Sequence, residues 1–293
     1  MVVGDRRLPR VRIVSLLPAT TEILFALGAG DDVVGVTFEC DYPAEARSRR
    51  IVSTSALPEG LTPREIDDFV VAAVGRGEDL YRLDEGALAG LDADMVVTQD
   101  LCAVCAVDVS VVDDALAHLG CTAEVLTVDP HTLDDVLDSL LVLGRATGRE
   151  EVAAALVARL RERIDAVARR VGGRQRPRVL LLEWTDPPFT PGHWIPEMVE
   201  LAGGVPLLGR PGDNSRRTSW DDVRAAEPDV VVVAPCGYDL AGARALADDL
   251  VGRGVLPDVP VHAVDANASW ARPGPRLVDG IEELAALLHP PKP

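Results

Sequence analysis

The sequence predicts two α/β lobes with parallel β-sheets, joined by one long helix. Three observations predict this fold: short β-branched runs alternate with helical patterns, the chain has 293 residues, and a long amphipathic stretch lies near its middle. Strands that alternate with helices of about ten residues or more are typical of βαβ units. At roughly 100–200 residues per domain, the length fits two domains. We therefore predict Rossmann-like lobes at 1–146 and 174–293, with an interlobe helix at 147–173.

The predicted elements follow one another in a regular order. In the first lobe, the β-branched runs predict strands at 11–17, 33–37, 94–98 and 122–128. Amphipathic spacing there predicts helices at 20–28, 62–74, 108–119 and 132–145. In the second lobe, strands are predicted at 178–183, 229–234 and 261–264, and helices at 219–226, 239–251 and 275–288.

The interlobe helix has the clearest local pattern. Thr147-Gly-Arg-Glu150 resembles a capping box, with a hydroxyl at the N-cap and a carboxylate three residues later. Gly172-Gly173 ends the helix. About 24 helical residues at 1.5 Å each give a rod of roughly 36 Å. Such a rod is expected to hold the lobes apart with a cleft between them. Its apolar stripe is formed by Val152, Leu156, Leu160, Ile164, Val167 and Val171.

Composition limits the classes of partner and compartment. The formal net charge of −18 argues against a nucleic-acid backbone or an anionic membrane as the main partner. No run of 18 apolar residues predicts a membrane span. No signal-peptide pattern follows residues 1–10, so we expect a cytoplasmic protein, or a periplasmic or extracellular one if a leader was removed. Five cysteines, an odd number, argue against a disulfide framework.

Ligands of open parallel sheets bind beyond the carboxyl ends of the strands, so the residues there are the candidates. Thr20 or Thr21 is expected to cap the first helix. Trp184 and Trp194 lie in a segment with four prolines, at 187, 188, 191 and 196, and are candidates for a flat hydrophobic surface. The candidate ligand-binding residues are Pro18, Ala19, Thr20, Phe38, Glu39, Gln99, Trp184, Trp194, Trp270 and Arg272.

A second group of residues suits a metal or redox site. Cys102 and Cys105 form a CxxC pair, a spacing that fits a metal, a redox disulfide or a soft ligand. His193 lies in a loop and is a further candidate ligand. The competing interpretation is that each cysteine is a small buried hydrophobe and that the histidine is solvated.

Motifs of catalysis are missing from the sequence. We find no P-loop lysine, no Gly-x-Ser-x-Gly elbow and no His-Glu-x-x-His helix. Lys292 is the sole lysine, which excludes Schiff-base chemistry. These observations favour a binding protein over an enzyme.

Several segments together resemble the helical-backbone substrate-binding proteins, with the closest likeness to cobalamin-binding proteins of ABC importers. The resemblance is carried by Ile13–Glu22, Val34–Val36 with Asp41–Pro43, Pro187–Thr190 and Arg272–Arg276. It implies two α/β lobes of the periplasmic binding protein type, with a ligand held between them. By the family pattern the ligand touches Pro18–Thr20, Phe38, Gln99, Trp184 and Trp270–Arg272, with Gln99 a polar replacement for an aromatic.

The resemblance also implies an ABC permease as a partner, docked through one carboxylate on each lobe. The alignment places Gly86, beside Glu85, and Asp221 at those positions. Residues 56–82 read as an insertion, and the CxxC pair is not a feature of exported members. These departures favour a cytoplasmic homologue.

The leading hypothesis is non-catalytic binding of cobalamin or a related corrinoid in the interlobe cleft, by a receptor or an intracellular carrier. One alternative is a protein that binds haem, an iron siderophore or a transition metal through Cys102 and Cys105. Another is a thiol-dependent enzyme acting on a corrinoid.

Overall fold

The computed structural model describes residues 11–78, 80–99, 112, 116 and 122–290. The chain divides into two compact units. The first unit contains Met1–Gly60, Phe69–Asp129 and Ser139–Leu156. The second unit contains Leu61–Asp68, Pro130–Asp138 and Val157–Pro293. The predicted helix at 108–119 lies outside the described residues except for Val112 and Leu116, so it stays a prediction.

The sheet of the first unit has six strands within the described residues. Their order is β4-β3-β2-β1-β5-β6, and all neighbours are parallel except β3 and β4. The prediction of a parallel sheet is thereby confirmed, and 33–37 matches its strand at both ends. The strands are β1 Ile13–Ser15, β2 Val33–Thr37, β3 Arg50–Ser55, β4 Tyr81–Leu83, β5 Met95–Thr98 and β6 Glu124–Thr127.

Two strands of this sheet were not predicted. β3 has the sequence RIVSTS, in which polar residues interrupt the apolar run, and β4 has three residues at the edge of the sheet. Their pairing is antiparallel and joins residues about thirty positions apart, such as Ser53 and Leu83. Neither strand has enough apolar alternation to stand out from sequence alone.

In the second unit, the described residues form a four-stranded parallel sheet with the order β10-β7-β11-β12. A separate two-stranded hairpin, β8 with β9, follows β7 directly. The three predicted strands of this lobe are all present. The strands are β7 Arg178–Leu182, β8 Trp184–Thr185, β9 Pro188–Phe189, β10 Val205–Pro206, β11 Val230–Val233 and β12 Val261–Ala263.

Helices fill most of the segments between strands. We number those in the described residues α1 Pro18–Ala26, α2 Pro63–Gly75, α3 Glu85–Leu88, α4 Leu133–Ala146, α5 Glu150–Val171, α6 Ile195–Leu201, α7 Trp220–Ala225, α8 Leu240–Gly252, α9 Ala266–Ser269 and α10 Leu277–Leu288. The long helix is confirmed as α5, with 22 residues.

The predicted cap of the long helix is wrong. α5 begins at Glu150, and the Thr147 hydroxyl instead donates to the Leu143 carbonyl at 2.7 Å, so Thr147 completes the end of α4. Gly148 has a φ of +66°, which lets the chain turn between the two helices.

The predicted cap of the first helix is wrong as well. α1 begins at Pro18, with Leu17 at its N-cap, so Thr20 and Thr21 lie inside the helix. Proline is favoured in the first turn of a helix because the backbone N–H groups there have no intrahelical partner, so the N–H that proline lacks is not missed.

Each unit has its own apolar core. In the first unit, Val14, Val52 and Val96 pack with Tyr81 and Leu91. In the second unit, one cluster joins the valines of β11 to β7 and α8. Four consecutive valines form β11 and all are buried, as expected for a strand covered on both faces.

Candidate functional site

The carboxyl edge of the first sheet begins with a buried hydroxyl cluster. The Ser15 hydroxyl lies 2.7 Å from that of Thr20 and accepts a hydrogen bond from Thr21 at 2.8 Å. The Thr21 hydroxyl also lies 3.1 Å from the Cys40 thiol, which is buried. Buried hydroxyls need such partners, so this cluster ties β1 to α1 and to the chain after β2. Cys40 is therefore a packing residue.

The hydroxyl cluster leaves little of the Pro18–Thr20 segment accessible to a ligand. Ala19 and Thr20 are buried, and the Thr20 hydroxyl is engaged within the protein. Pro18 is partly exposed at the first turn of α1. Of the three candidates in this segment, Pro18 is the one with accessible surface.

An aromatic pair lies beyond the carboxyl end of β2. Phe38 is 38% exposed, and its ring centroid lies 5.8 Å from that of Tyr81. The Tyr81 hydroxyl donates to Glu39 at 2.6 Å. Sequence reasoning missed Tyr81, which lies on the unpredicted strand β4. The structure thus brings two predicted candidates, Phe38 and Glu39, together with a third side chain.

The remaining candidates of the first unit are Gln99 and the two cysteines of the CxxC pair. Gln99 directly follows β5 and is buried. Cys102 and Cys105 lie outside the described residues, so the predicted metal or redox role of this pair is not tested.

Trp184 opens β8, two residues after β7 ends at Leu182. Its ring meets that of Tyr238 edge to face, with 5.8 Å between centroids. Tyr238 comes from the loop after β11, and burial raises the pKa of its hydroxyl. The Glu183 carboxylate accepts the Gly192 N–H at 2.6 Å and so fixes the far end of the proline-rich loop. Two neighbouring strands thus supply a partly exposed aromatic pair.

Trp194 and Trp270 do not join this surface. Trp270 is 0% exposed, and the Trp194 indole N–H donates to its carbonyl at 2.8 Å. Trp194 is also buried, at the start of α6. Both side chains are buried and hold loops together, so neither ring is part of the exposed surface that Trp184 and Tyr238 form. Arg272, two residues later, is partly buried.

His193 has a second imidazole beside it. Its ring centroid lies 5.8 Å from that of His131 and 5.6 Å from that of Trp194. Burial and the neighbouring His131 lower the pKa of His193, although a hydrogen bond with Asn214 opposes this. At neutral pH His193 is therefore uncharged and can act as a ligand or a hydrogen-bond partner.

The described residues contain neither a metal-ligating cluster nor a membrane-spanning helix. In the described part of the chain, no three His, Cys, Asp or Glu side chains are arranged to hold a metal ion. Within those same residues, every helix is too short or too polar to cross a membrane.

A comparison with known protein families shows the family of this chain. Residues 13–255 match the periplasmic binding protein family. The chain belongs to this family. The predicted resemblance to substrate-binding proteins is thereby confirmed.

Individual relatives of this periplasmic binding protein have different ligands in their names. The vitamin B12-binding protein of Yersinia pestis is 25% identical over 280 residues, which cover 93% of this chain and 84% of the relative. The periplasmic haem-binding protein of Roseiflexus is 25% identical, with a TM-score of 0.68 and coverage of 96% and 98%. An ABC transporter substrate-binding protein of Listeria monocytogenes is 17% identical, with a TM-score of 0.71 and coverage of 96% and 99%.

These likenesses support a role in ligand binding at the level of the family. The relatives are named as binding proteins, not as enzymes. The expected cytoplasmic location finds no support, because the matched family and its relatives are described as periplasmic. The expected metal binding finds no support either.

Proposed function

We propose that this periplasmic binding protein is a non-catalytic receptor for cobalamin or a related corrinoid. The observation that carries the proposal is that partly exposed aromatic rings follow strand ends, Phe38 in one unit, where it packs on the buried Tyr81, and Trp184 in the other, where it packs on Tyr238. Flat aromatic faces suit a broad macrocycle. The likeness to vitamin B12-binding proteins over 93% of the chain supports the same ligand class.

A carboxylate next to the Phe38 ring suits the amide-bearing rim of a corrinoid. Glu39 follows Phe38 in the sequence and accepts a hydrogen bond from Tyr81, the residue on which Phe38 packs. Amide and carboxylate groups can accept or donate the hydrogen bonds that peripheral amides require. A few polar groups among aromatics are the usual composition of a small-molecule site.

Titration with cyanocobalamin tests the proposal. Isothermal titration calorimetry and the corrin absorption bands should show saturable binding, with a Kd below about 10 µM, or roughly 7 kcal/mol of binding free energy. The absence of heat and of a band shift at tens of micromolar, on the order of that Kd, would contradict it.

Matched tryptophan variants locate the ligand. Trp184→Leu is expected to weaken cobalamin binding about 10- to 100-fold, because buried aromatic contacts dominate such interfaces. Trp220→Leu removes a tryptophan that packs on the core of the second unit and is expected to leave the Kd within about 2-fold. Equal losses in both variants would argue against a specific role for Trp184.

Haem or an iron chelate is the second candidate. It is favoured by the adjacent imidazoles of His131 and His193 and by the likeness to a haem-binding protein. A haemin titration that gives a Soret shift in the wild type, lost in His193→Ala, would support it. The unchanged metal content of a Cys102→Ser, Cys105→Ser double variant would exclude those thiols as ligands.

An ABC permease is the partner that this proposal implies. Asp221 lies in the first turn of α7 with its side chain 91% exposed, and Gly86 lies in α3. An exposed carboxylate of this kind suits docking to a basic loop.

A further inference from the structure

The segment Leu61–Asp68, which we call the strap, contacts the loops that follow β7. It lies within the 56–82 insertion and opens α2. By its contacts the strap belongs to the second unit, whereas the residues on either side of it belong to the first. The elements it contacts are more than a hundred positions away in the sequence. The strap is thus held by tertiary contacts as well as by the helix that it opens.

Two contacts join the strap to the Trp184 loop. The Trp184 indole N–H lies 3.2 Å from both the Pro63 and the Asp186 carbonyls and is shared between them. The Arg64 guanidinium pairs with the Asp186 carboxylate at 2.9 Å, and the arginine is about half exposed. The strap therefore uses the polar edge of the tryptophan that the proposed function assigns to the ligand.

A third contact places a carboxylate of the strap on an arginine. Asp67 is only 7% exposed and pairs with the guanidinium of Arg217. The same guanidinium lies 5.9 Å from the centre of the Phe189 ring, which belongs to the hairpin strand β9. The Arg217 side chain is 48% exposed. Arg217 is thus held between an aromatic face and an internal anion.

Hydrogen bonds of its own close the N-terminal end of the strap. The Glu65 carboxylate accepts hydrogen bonds from the Thr62 N–H at 2.8 Å and the Thr62 hydroxyl at 2.7 Å, a capping-box arrangement. These bonds lower the pKa of Glu65. Gly60, directly before the strap, has a φ of +80°, a conformation that glycine adopts freely. Because Pro63–Asp68 are the first turns of α2, which continues to Gly75, displacement of the strap means that these first turns open at their N-terminal end.

We propose that the strap is an internal competitor that covers the ligand-facing side of the Trp184 loop and is displaced when ligand binds. This inference rests on the proposed function, because it assumes that Trp184 contacts the ligand. Displacement frees the Trp184 N–H and the Arg217 guanidinium, which Pro63 and Asp67 otherwise satisfy. A ligand with peripheral carboxylates or amides can replace both partners, whereas a ligand without them leaves the Arg217 guanidinium to water and the Trp184 N–H with the Asp186 carbonyl alone. The strap thus selects for macrocycles with polar side groups.

Removing one charge of the strap tests the competition. Asp67→Asn weakens the pair with Arg217, so less free energy opposes displacement. We expect Asp67→Asn to bind cyanocobalamin or haemin about 3- to 5-fold more tightly than the wild type, the upper part of the range for one partly exposed ion pair. Asp68→Asn removes the same charge from the neighbouring exposed residue and should leave the Kd within about 2-fold.

A second variant and a second readout guard against misfolding. Arg64→Ala changes an exposed side chain, so folding is not at risk, and it should also tighten binding. Hydrogen–deuterium exchange of the amides in 61–68 should become faster at saturating ligand. Slower exchange, or weaker binding in Asp67→Asn and Arg64→Ala, overturns the competitor role, because the strap would then be part of the site.

The binding measurements distinguish an error in the proposed role of the strap from an error in the proposed function. Equal affinities in the wild type and all three variants overturn the strap alone. If neither cyanocobalamin nor haemin binds any of the four proteins, the proposed function is overturned and the role of the strap with it.

Discussion

Substitution of Gly280 by alanine is expected to destabilise the second unit through the packing around Trp270. Gly280 lies in α10, where a Cβ would be 2.4 Å from the Ser269 carbonyl oxygen and 3.2 Å from the Trp270 ring. The nearest atom belongs to the backbone, so no side-chain rotation can relieve the clash. α10 and the end of α9 must therefore move apart.

The expected loss in the free energy of unfolding follows from the size of this movement. Ordinary van der Waals contact begins at 3.4 Å, so the separation must grow by about 1 Å. Overpacking costs about 1–3 kcal/mol, and a clash with backbone that no rotamer change relieves belongs to the upper part of this range, about 2–3 kcal/mol. Alanine recovers about 1 kcal/mol of helix propensity relative to glycine. We expect a net loss of about 1–2 kcal/mol in the free energy of unfolding.

Differential scanning calorimetry with a matched control checks this value. At about 2–4 °C per kcal/mol for a unit of this size, the Tm should fall by about 3–6 °C in Gly280→Ala. Gly252 ends α8, and a Cβ there meets nothing within 4 Å, so Gly252→Ala should keep or raise the Tm. An unchanged or higher Tm in Gly280→Ala would refute the assignment of Trp270 to a tightly packed core.

Two further changes probe the second unit. Glu282→Gln removes charge-assisted bonds from Arg163, at 2.9 and 2.7 Å, and should lower the free energy of unfolding by about 0.5–1 kcal/mol at pH 7. Because Arg163 lowers the pKa of Glu282, this difference should shrink as the pH falls below the ordinary pKa of a glutamate, about 4.3, and vanish once the pH is below the lowered pKa, which a series of urea titrations from pH 7 downward can measure. Ser219→Ala removes the side chain that caps α7 and should cost about 1 kcal/mol in thermal melts, whereas Ser219→Thr should retain most of it.

The sequence predicted the exposed site residues that come directly after a clear strand. Phe38 and Trp184 follow strands that are clear in the sequence, and both have partly accessible rings. Trp270 also follows a predicted strand, yet it is fully buried. The difference arises because Trp194, 76 residues away in sequence, and Gly280 of α10 pack around Trp270. A single sequence does not reveal which loop tryptophan will find such a pocket.

Other members of the site depend on pairing between distant residues. Tyr81 reaches Glu39 because β4 pairs antiparallel with β3, two strands that show little apolar periodicity. His131 meets His193 through the packing of two loops. Such contacts depend on register and loop geometry, which local propensities do not encode.

The sequence by itself determined the alternation of strands and helices, the parallel sheets and the long helix, because hydrophobic periodicity is a local property of the chain. It also indicated the family through short segments spread over most of the chain. Tertiary structure alone decided that Thr147 closes one helix instead of opening the next, and that Trp194 and Trp270 are core. It likewise placed Asp67 on Arg217, 150 residues away. Burial and ion pairing depend on which surfaces meet, and that is settled only when the whole chain has folded.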